Sequence, residues 1–360
     1  MEHILEKNGN GPAYLQLYMR LREDIETGVY PFGSRLPSKR TVAAEAGVSV
    51  ITAEHAYALL CDEGYAASRQ RSGYFVTFRT DGGFAHSPER QHPLPELLLQ
   101  GEGREDFPFS VLARTMRRVV SDYQEGILSP SPGTGCIQLR EAICGYLARS
   151  RGIHAAPEQL VIGSGSEYLY SLVVLLLGKE KIYAIEAPSY KKIRQVYGTA
   201  QVPLRMLPLG GDGIESVALW QSDADVLHIS PYRSYPSGVT ASASKRHEYM
   251  HWAAQAGKWI IEDDFESEFS VSRKPEETLF SRAEPAHVIY MNTFSKTISP
   301  SLRIGYMVLP EVLAAQFQEK LGFYSCTVPT YMQLVLAELL NSGDFERHIN
   351  RVRRKKRNQL

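Results

Sequence analysis

Strand-length apolar runs alternate with helical patterns through the larger, C-terminal part of the chain, and this alternation limits the available folds more than any other feature. Val161-Ile162 precedes Gly163-Ser-Gly-Ser166 and a helix predicted over Glu167–Leu177. Ile182–Ile185 leads into Ala187-Pro-Ser-Tyr190, Val226–Ile229 into Pro231, and Trp259-Ile-Ile261 into Glu262-Asp-Asp264. Val288–Met291 and Ile304–Val308 bracket a tight connection that carries Lys296. Strands separated in this way by helices read as an α/β domain with a mostly parallel sheet.

Such sheets bind ligands just beyond the carboxyl ends of their strands, and reactive residue types recur there. Lys296 directly follows Thr293-Phe-Ser295, and Arg303 comes seven residues later. A lysine on such a connection is poised for a Schiff base with a carbonyl, while hydroxyls and a guanidinium suit a phosphate. A solvated loop lysine beside an unrelated arginine has the same local pattern. Gly163-Ser-Gly-Ser166 offers free N–H groups and a helix dipole to a phosphate, although glycine-serine turns are also ordinary N-caps. Asp263 and Asp264 end a strand expected to be buried, where a carboxylate needs a partner. A protonated ring nitrogen is one candidate, and solvation at the strand end is the other. Tyr190 is either a ring-stacking aromatic or one of twenty tyrosines.

Length and composition narrow the class. The 360 residues suggest two or three domains, and 43% apolar with 22% charged residues is an ordinary globular balance. Forty basic and forty acidic side chains cancel, so any nucleic-acid contact has to come from a local patch. Cys61, Cys136, Cys144 and Cys326 lack metal-ligand spacing, so no metal is expected, and they suit a reducing cytosol. The N-terminus has no signal-peptide core. The longest apolar run, Leu172–Leu177, falls far short of the ~20 residues of a membrane span, so a cytoplasmic protein without membrane contact is expected.

The first eighty residues have a different grammar. Tyr14, Leu17, Tyr18, Leu21 and Ile25 keep helical spacing up to Gly28. Ser38 is a good N-cap for a helix over Lys39–Ala46, and Ser49 for one over Val50–Glu63, with the turn Ala46-Gly-Val-Ser49 between them. That is a helix-turn-helix, whose second member would enter a DNA major groove. Tyr65–Ser68 and Tyr74–Phe78 then read as a hairpin around Arg69-Gln-Arg71-Ser-Gly73, a wing suited to phosphate or the minor groove. A small helical cap with a decorative hairpin would share this outline.

The string Gly33-Ser-Arg-Leu-Pro-Ser-Lys-Arg40, with Ala43, Gly47-Val-Ser49, Thr52, Ala56-Tyr57, Leu60, Gly64 and Ser72-Gly73, resembles the winged-helix signature of the GntR family of bacterial regulators. By that resemblance Ser38, Arg40, Ser49, Thr52, Arg69, Arg71 and Gly73 belong to a surface for double-stranded operator DNA. Val50 stands where the family usually has a basic residue, and it can meet a thymine methyl but not a guanine or a phosphate. Further on, Tyr235-Pro-Ser-Gly238, Glu262-Asp-Asp-Phe-Glu-Ser-Glu-Phe269 and Asn292–Met307 resemble the fold-type I aminotransferases, which use pyridoxal 5′-phosphate (PLP). Together the two parts resemble the MocR subfamily, in which an aminotransferase-like domain senses a ligand. The expected architecture is a winged helix over 11–79, a Gly- and Pro-rich linker over 80–103, and an α/β PLP domain over 104–360.

The resemblance implies that Lys296 holds PLP covalently, Asp263 pairs with the pyridinium nitrogen, and Tyr190 stacks on the ring. Ser164, Gly165, Ser166, Thr293, Ser295 and Arg303 then gather the phosphate. Phe265 stands where the subfamily has a hydrogen-bonding tyrosine, and Tyr232-Arg-Ser234 where it has Ser-His-Gln. Asp344–Gln359 reads as a basic amphipathic helix with Phe345, Ile349 and Val352 on its apolar side and a solvated basic face. In the family this helix begins a small C-terminal subdomain with a carboxylate-binding arginine, so a truncated or fragmentary form is expected. A PLP-dependent regulator sensing an amino compound, working as a homodimer, is the leading expectation. An aminotransferase with a DNA-binding appendage and a regulator retaining DNA binding alone are the alternatives.

Overall fold

The computed structural model describes residues 12–69, 72–78, 107–255, 257–265, 267–269, 277–282 and 287–359. The chain forms two compact units, Met1–Gly101 and Glu102–Leu360. The expected linker over 80–103 lies outside the described residues.

In the first unit, α1 (Ala13–Glu26) buries Leu17, Tyr18, Leu21 and Ile25, the stripe its spacing predicts. Helices α2 (Lys39–Ala46) and α3 (Val50–Asp62) each begin at a serine whose hydroxyl accepts the backbone N–H of the third helical residue. Ser38 accepts from Thr41 and Ser49 from Thr52, both at 3.1 Å. Gly47 ends α2 at φ 67°, a left-handed conformation that favours glycine. Strands β1 (Ala66–Arg69) and β2 (Gly73–Val76) pair antiparallel with Arg69 opposite Gly73. Both lie slightly off the spans expected from sequence, because the register follows the buried Ala66 and Val76 rather than the aromatic residues beside them.

The second unit is built on an eight-stranded sheet. Its strands are β3 (Leu160–Gly163), β4 (Tyr183–Ala187), β5 (Leu204–Gly210), β6 (Gly213–Ile214), β7 (Val226–Ile229), β8 (Trp259–Asp263), β9 (Val288–Thr293) and β10 (Gly305–Val308). Their spatial order is β3-β10-β9-β8-β7-β4-β5-β6. The run from β9 to β5 is parallel, whereas β10 is antiparallel to both its neighbours and β6 to β5. Successive residues alternate between the two cores, as a pleated strand requires: Tyr290 packs with Tyr146, Leu147 and Phe345, and Ile289 and Met291 with Leu172 and Phe317.

Helices cover the sheet. The core with Tyr290 receives α4 (Phe109–Tyr123), α5 (Ile137–Arg151), α12 (Thr330–Asn341) and α13 (Asp344–Gln359). The core with Met291 receives α6 (Ser166–Leu177), α7 (Lys191–Thr199) and α11 (Glu311–Leu321). Helices α8 (Ser216–Gln221), α9 (Ala243–Ala253) and α10 (Leu279–Arg282) complete the far end. The amphipathic reading of α13 holds for Phe345, Ile349 and Val352, all buried. The expected solvated basic face holds for Arg347, Arg351, Arg354, Lys355 and Arg357, which are exposed; His348 departs from it by being buried, and Arg353 by donating through Nε to the Glu268 carbonyl at 2.6 Å.

Candidate functional site

The carboxyl ends of β8 and β9, the N-terminus of α6 and the start of α7 converge on one cavity of about 350 Å³. Asp263, Tyr190, Ser166, Thr293, Ser295, Lys296 and Arg303 all line it. Ser164 and Gly165 stand beside it rather than on its lining. The Ser164 N–H donates to Thr327 Oγ1 at 3.2 Å. A Cβ added at Gly165 would come within 2.9 Å of the Arg303 Nη2.

Lys296 sits on the connection between the antiparallel β9 and β10. That connection is closed by the Phe294 N–H donating to the Ile304 carbonyl at 2.9 Å. Thr293 Oγ1 accepts from the Ser295 N–H at 3.2 Å and lies 3.0 Å from Ser295 Oγ, so the two hydroxyls share one corner. Arg303 closes the connection in the left-handed region, at φ 49° and ψ 42°. Such backbone is uncommon for residues other than glycine and gathers at functional sites. The Lys296 Nζ lies 4.5 Å from the Phe265 ring centroid, so the ring face meets the amine where a tyrosine would bring a hydroxyl.

Asp263 is buried and held from behind. Tyr170 on α6 donates its hydroxyl to Asp263 Oδ2. His228 on β7 brings Nε2 to 3.5 Å from the same oxygen without a hydrogen bond, and its Nδ1 pairs with the Tyr197 hydroxyl at 2.7 Å. Burial first, and then the Asp263 charge, push the Tyr170 hydroxyl well above its ordinary range, so it stays a donor. His228 and Tyr170 escaped sequence reasoning. The one available signal was a histidine inside the otherwise apolar strand Val226–Ile229.

Three more carboxyls are buried close by. Glu186 accepts from Ser234 and from the Ser230 N–H, and burial raises it to about 7. Glu262 accepts from Tyr232 and from the N–H groups of Leu279 and Phe280 at the start of α10; burial raises it to about 7 as well. Asp264 accepts from Tyr290 at 2.8 Å and pairs with Arg151 at 3.1 Å. Tyr232 and Ser234, which differ from the subfamily, thus serve Glu262 and Glu186, and Arg233 is not among the lining residues. Of the two strand-end aspartates, Asp263 faces the cavity and Asp264 a buried arginine.

The donor set fits the cofactor that the resemblance implies. The Arg303 guanidinium, the hydroxyls of Ser166, Thr293 and Ser295, the N-terminus of α6, the Asp263 carboxylate and the Lys296 amine all line one cavity. Gly165 leaves room for Arg303 that a side chain would remove. Among the described residues no cluster of side chains suits a metal ion.

In the first unit, Ser38, Arg40, Ser49, Val50 and Ile51 are exposed around the starts of α2 and α3. The hydroxyls of Ser49 and Thr52 are 2.8 Å apart, so both belong to the helix cap as well as to the surface. Arg69 stacks its guanidinium over Phe75 at 4.5 Å, and Gly73 turns the hairpin at φ 101°. Arg71 lies outside the described residues. Arg35, absent from the sequence-based set, bridges to Phe75 and lies against Gly73.

A winged helix joined to an aminotransferase-type sheet defines the class. Residues 13–76 match the family model for bacterial regulatory proteins of the gntR family, and residues 103–359 that for aminotransferase class I and II. The chain is 33% identical to the uncharacterized HTH-type transcriptional regulator YdeL of Bacillus subtilis, over 96% of this chain and 78% of that protein. It is 30% identical to the probable rhizopine catabolism regulatory protein MocR of Rhizobium meliloti, over 98% and 76%. Among solved structures, the α-aminoadipate aminotransferase LysN of Thermus thermophilus is 28% identical with a TM-score of 0.61, covering 69% of this chain and 64% of that one. The kynurenine aminotransferase of Pyrococcus horikoshii shares the fold at a TM-score of 0.64, covering 77% and 73%. The chain belongs to the MocR-type HTH transcriptional regulators of the GntR family, with a class I and II aminotransferase domain. Among the described residues no helix is long and apolar enough to cross a membrane.

Proposed function

We propose that this regulator binds double-stranded operator DNA through residues 11–79 and senses a small amino compound through a PLP-binding domain over 104–360, the two joined by the linker 80–103. The observation that carries the reading is the meeting of Lys296, Asp263, Tyr190 and Arg303 in one cavity. When bound, PLP supplies an electrophilic carbonyl carbon and an electron-accepting ring. Lys296 holds it covalently through Nζ. Asp263, oriented by Tyr170, keeps a proton on the ring nitrogen. Tyr190, which lines the cavity edge-on to Tyr235 at 5.9 Å, would supply an aromatic contact to the ring. Ser164, Gly165, Ser166, Thr293, Ser295 and Arg303 bind the phosphate.

Phe265 contributes a ring face and no hydroxyl at Lys296, which favours a sensor over a turnover catalyst. An effector acts by binding two domain arrangements with different affinity. Membership of a family of DNA-binding regulators with an aminotransferase-type domain supports a cytoplasmic homodimer. Purified protein supplied with PLP is expected to show a visible absorbance band that Lys296→Ala abolishes; a band unchanged in the variant refutes the lysine assignment. Sustained keto-acid production from an amino donor and acceptor would replace the regulator reading with the aminotransferase one.

A further inference from the structure

The anion position of the cavity holds a carboxylate from the chain itself. Glu167, the second residue of α6, accepts from Arg303 Nη2 through Oε2 and from Lys192 Nζ through Oε1. Lys192 belongs to the first turn of α7, and all three side chains line the cavity with Lys296 and Asp263. The Arg303 guanidinium lies against Gly165, the N-cap of α6, where an added Cβ would come within 2.9 Å of Nη2. It therefore points at the N-terminus of α6, whose free N–H groups and dipole favour an anion.

The hydrogen bond from Lys192, reinforced by that from Arg303, holds the Glu167 carboxyl below its ordinary range, so it is ionised. The side chains of Glu167, Arg303 and Lys192 are 26%, 48% and 50% exposed, which lets them exchange partners without disturbing the core.

We propose that Glu167 is a resident competitor for the cofactor's phosphate: its carboxylate engages Arg303 and Lys192, and a phosphate takes Arg303 only by displacing it. This rests on the PLP reading of the cavity. Two consequences follow from the charges. A phosphate bound beside Glu167 meets a like charge, and the Arg303 contact it gains is offset by the one Glu167 loses. Cofactor affinity is lowered through the phosphate alone, so occupancy tracks the free cofactor concentration. Neither Asp263 nor Lys296, which meet the ring and the carbonyl, is involved.

The test is a spectrophotometric titration of the full chain, stripped of cofactor, with PLP and with pyridoxal, which has the same ring and carbonyl but no phosphate. Glu167→Gln keeps the size of the side chain, removes its charge and leaves one accepting oxygen in place of two, so it can no longer accept from Arg303 and Lys192 through separate oxygens. The dissociation constant for PLP is expected to fall about tenfold in the variant, while that for pyridoxal changes by less than about twofold. An unchanged or weakened PLP affinity overturns the proposal, as does a parallel change for both ligands. A wild-type chain that binds neither ligand overturns the cofactor reading itself, and this proposal with it. Wild-type binding without a Glu167 effect removes this proposal alone.

Discussion

Glu186, next to last in β4, is the place where burial at the site can be read as a stability. Its carboxyl is buried and accepts from Ser234 Oγ at 2.5 Å and from the Ser230 N–H at 3.3 Å. Burial raises its pKa from 4.5 to about 7, with the Asp263 charge pushing the same way and the two hydrogen bonds opposing. A folded-state pKa above the unfolded one means the folded chain binds this proton more tightly. The resulting stabilisation is full below the unfolded value and is lost as the pH rises through the folded one. Each pKa unit corresponds to about 1.4 kcal/mol, so the rise from 4.5 to about 7 amounts to about 3 kcal/mol. Glu186→Gln fills the same space and cannot ionise. Its stability relative to wild type should therefore climb by about 3 kcal/mol between about pH 4 and pH 8. Urea denaturation across that range measures it, and Trp220, Trp252 and Trp259 place the fluorescence signal in the second unit. A stability difference that stays flat with pH would refute the reasoning, because it would mean that Glu186 ionises in the folded chain as readily as in water.

Three further outcomes are expected. Arg151→Met leaves Asp264 and Glu268 without their buried cation, whose side chain is 4% exposed, and should destabilise the second unit by about 3–5 kcal/mol in urea denaturation. A loss under about 1 kcal/mol would contradict the buried ion-pair account. Arg40→Ala should weaken binding to the promoter beside the chain's own gene at matched salt, and reduce the slope of log affinity against log salt by about 1. Undiminished affinity would remove Arg40 from the DNA surface. Val50 and Ile51, 45% and 67% exposed at the start of α3, offer methyl groups where a basic side chain would seek guanine or phosphate. Replacing single operator thymines by uracil should weaken binding by about 1 kcal/mol at one position or more in each half-site. Affinity indifferent to every such replacement would count against an apolar reading head.

Lys296, Asp263, Tyr190, Ser166, Thr293, Ser295 and Arg303, which line one cavity, stood out in the sequence as candidates because each sits at a punctuation mark, and the resemblance to the aminotransferases joined them into one set. A strand ends, a glycine or proline turns the chain, and a polar group appears. The helix caps Ser38 and Ser49 were legible for the same local reason. The strands β5 and β6 were not: Leu204–Gly210 carries Pro208 and exposes Arg205 and Met206, so it lacks the buried pattern of its neighbours. Nor was the unequal fate of two adjacent aspartates. Adjacent residues of an extended chain point to opposite faces, and only the strand's place in the sheet tells which face is the cavity.

From the order of its residues alone, this chain specified the helices of its first unit, their serine caps and a mostly parallel sheet with polar groups at the strand ends, since those depend on periodicity, capping and turn chemistry within a few residues; resemblance to known families supplied the winged helix and the roles of the strand-end groups. Tertiary structure alone decided the partners. Tyr170 and His228 reach Asp263 from 93 and 35 residues away in sequence. Arg303 reaches Glu167 across 136, and Arg353 reaches Glu268 across 85. Such pairings depend on which strands lie side by side. The carboxylate that faces Arg303 is therefore a property of the assembled fold and not of any one segment.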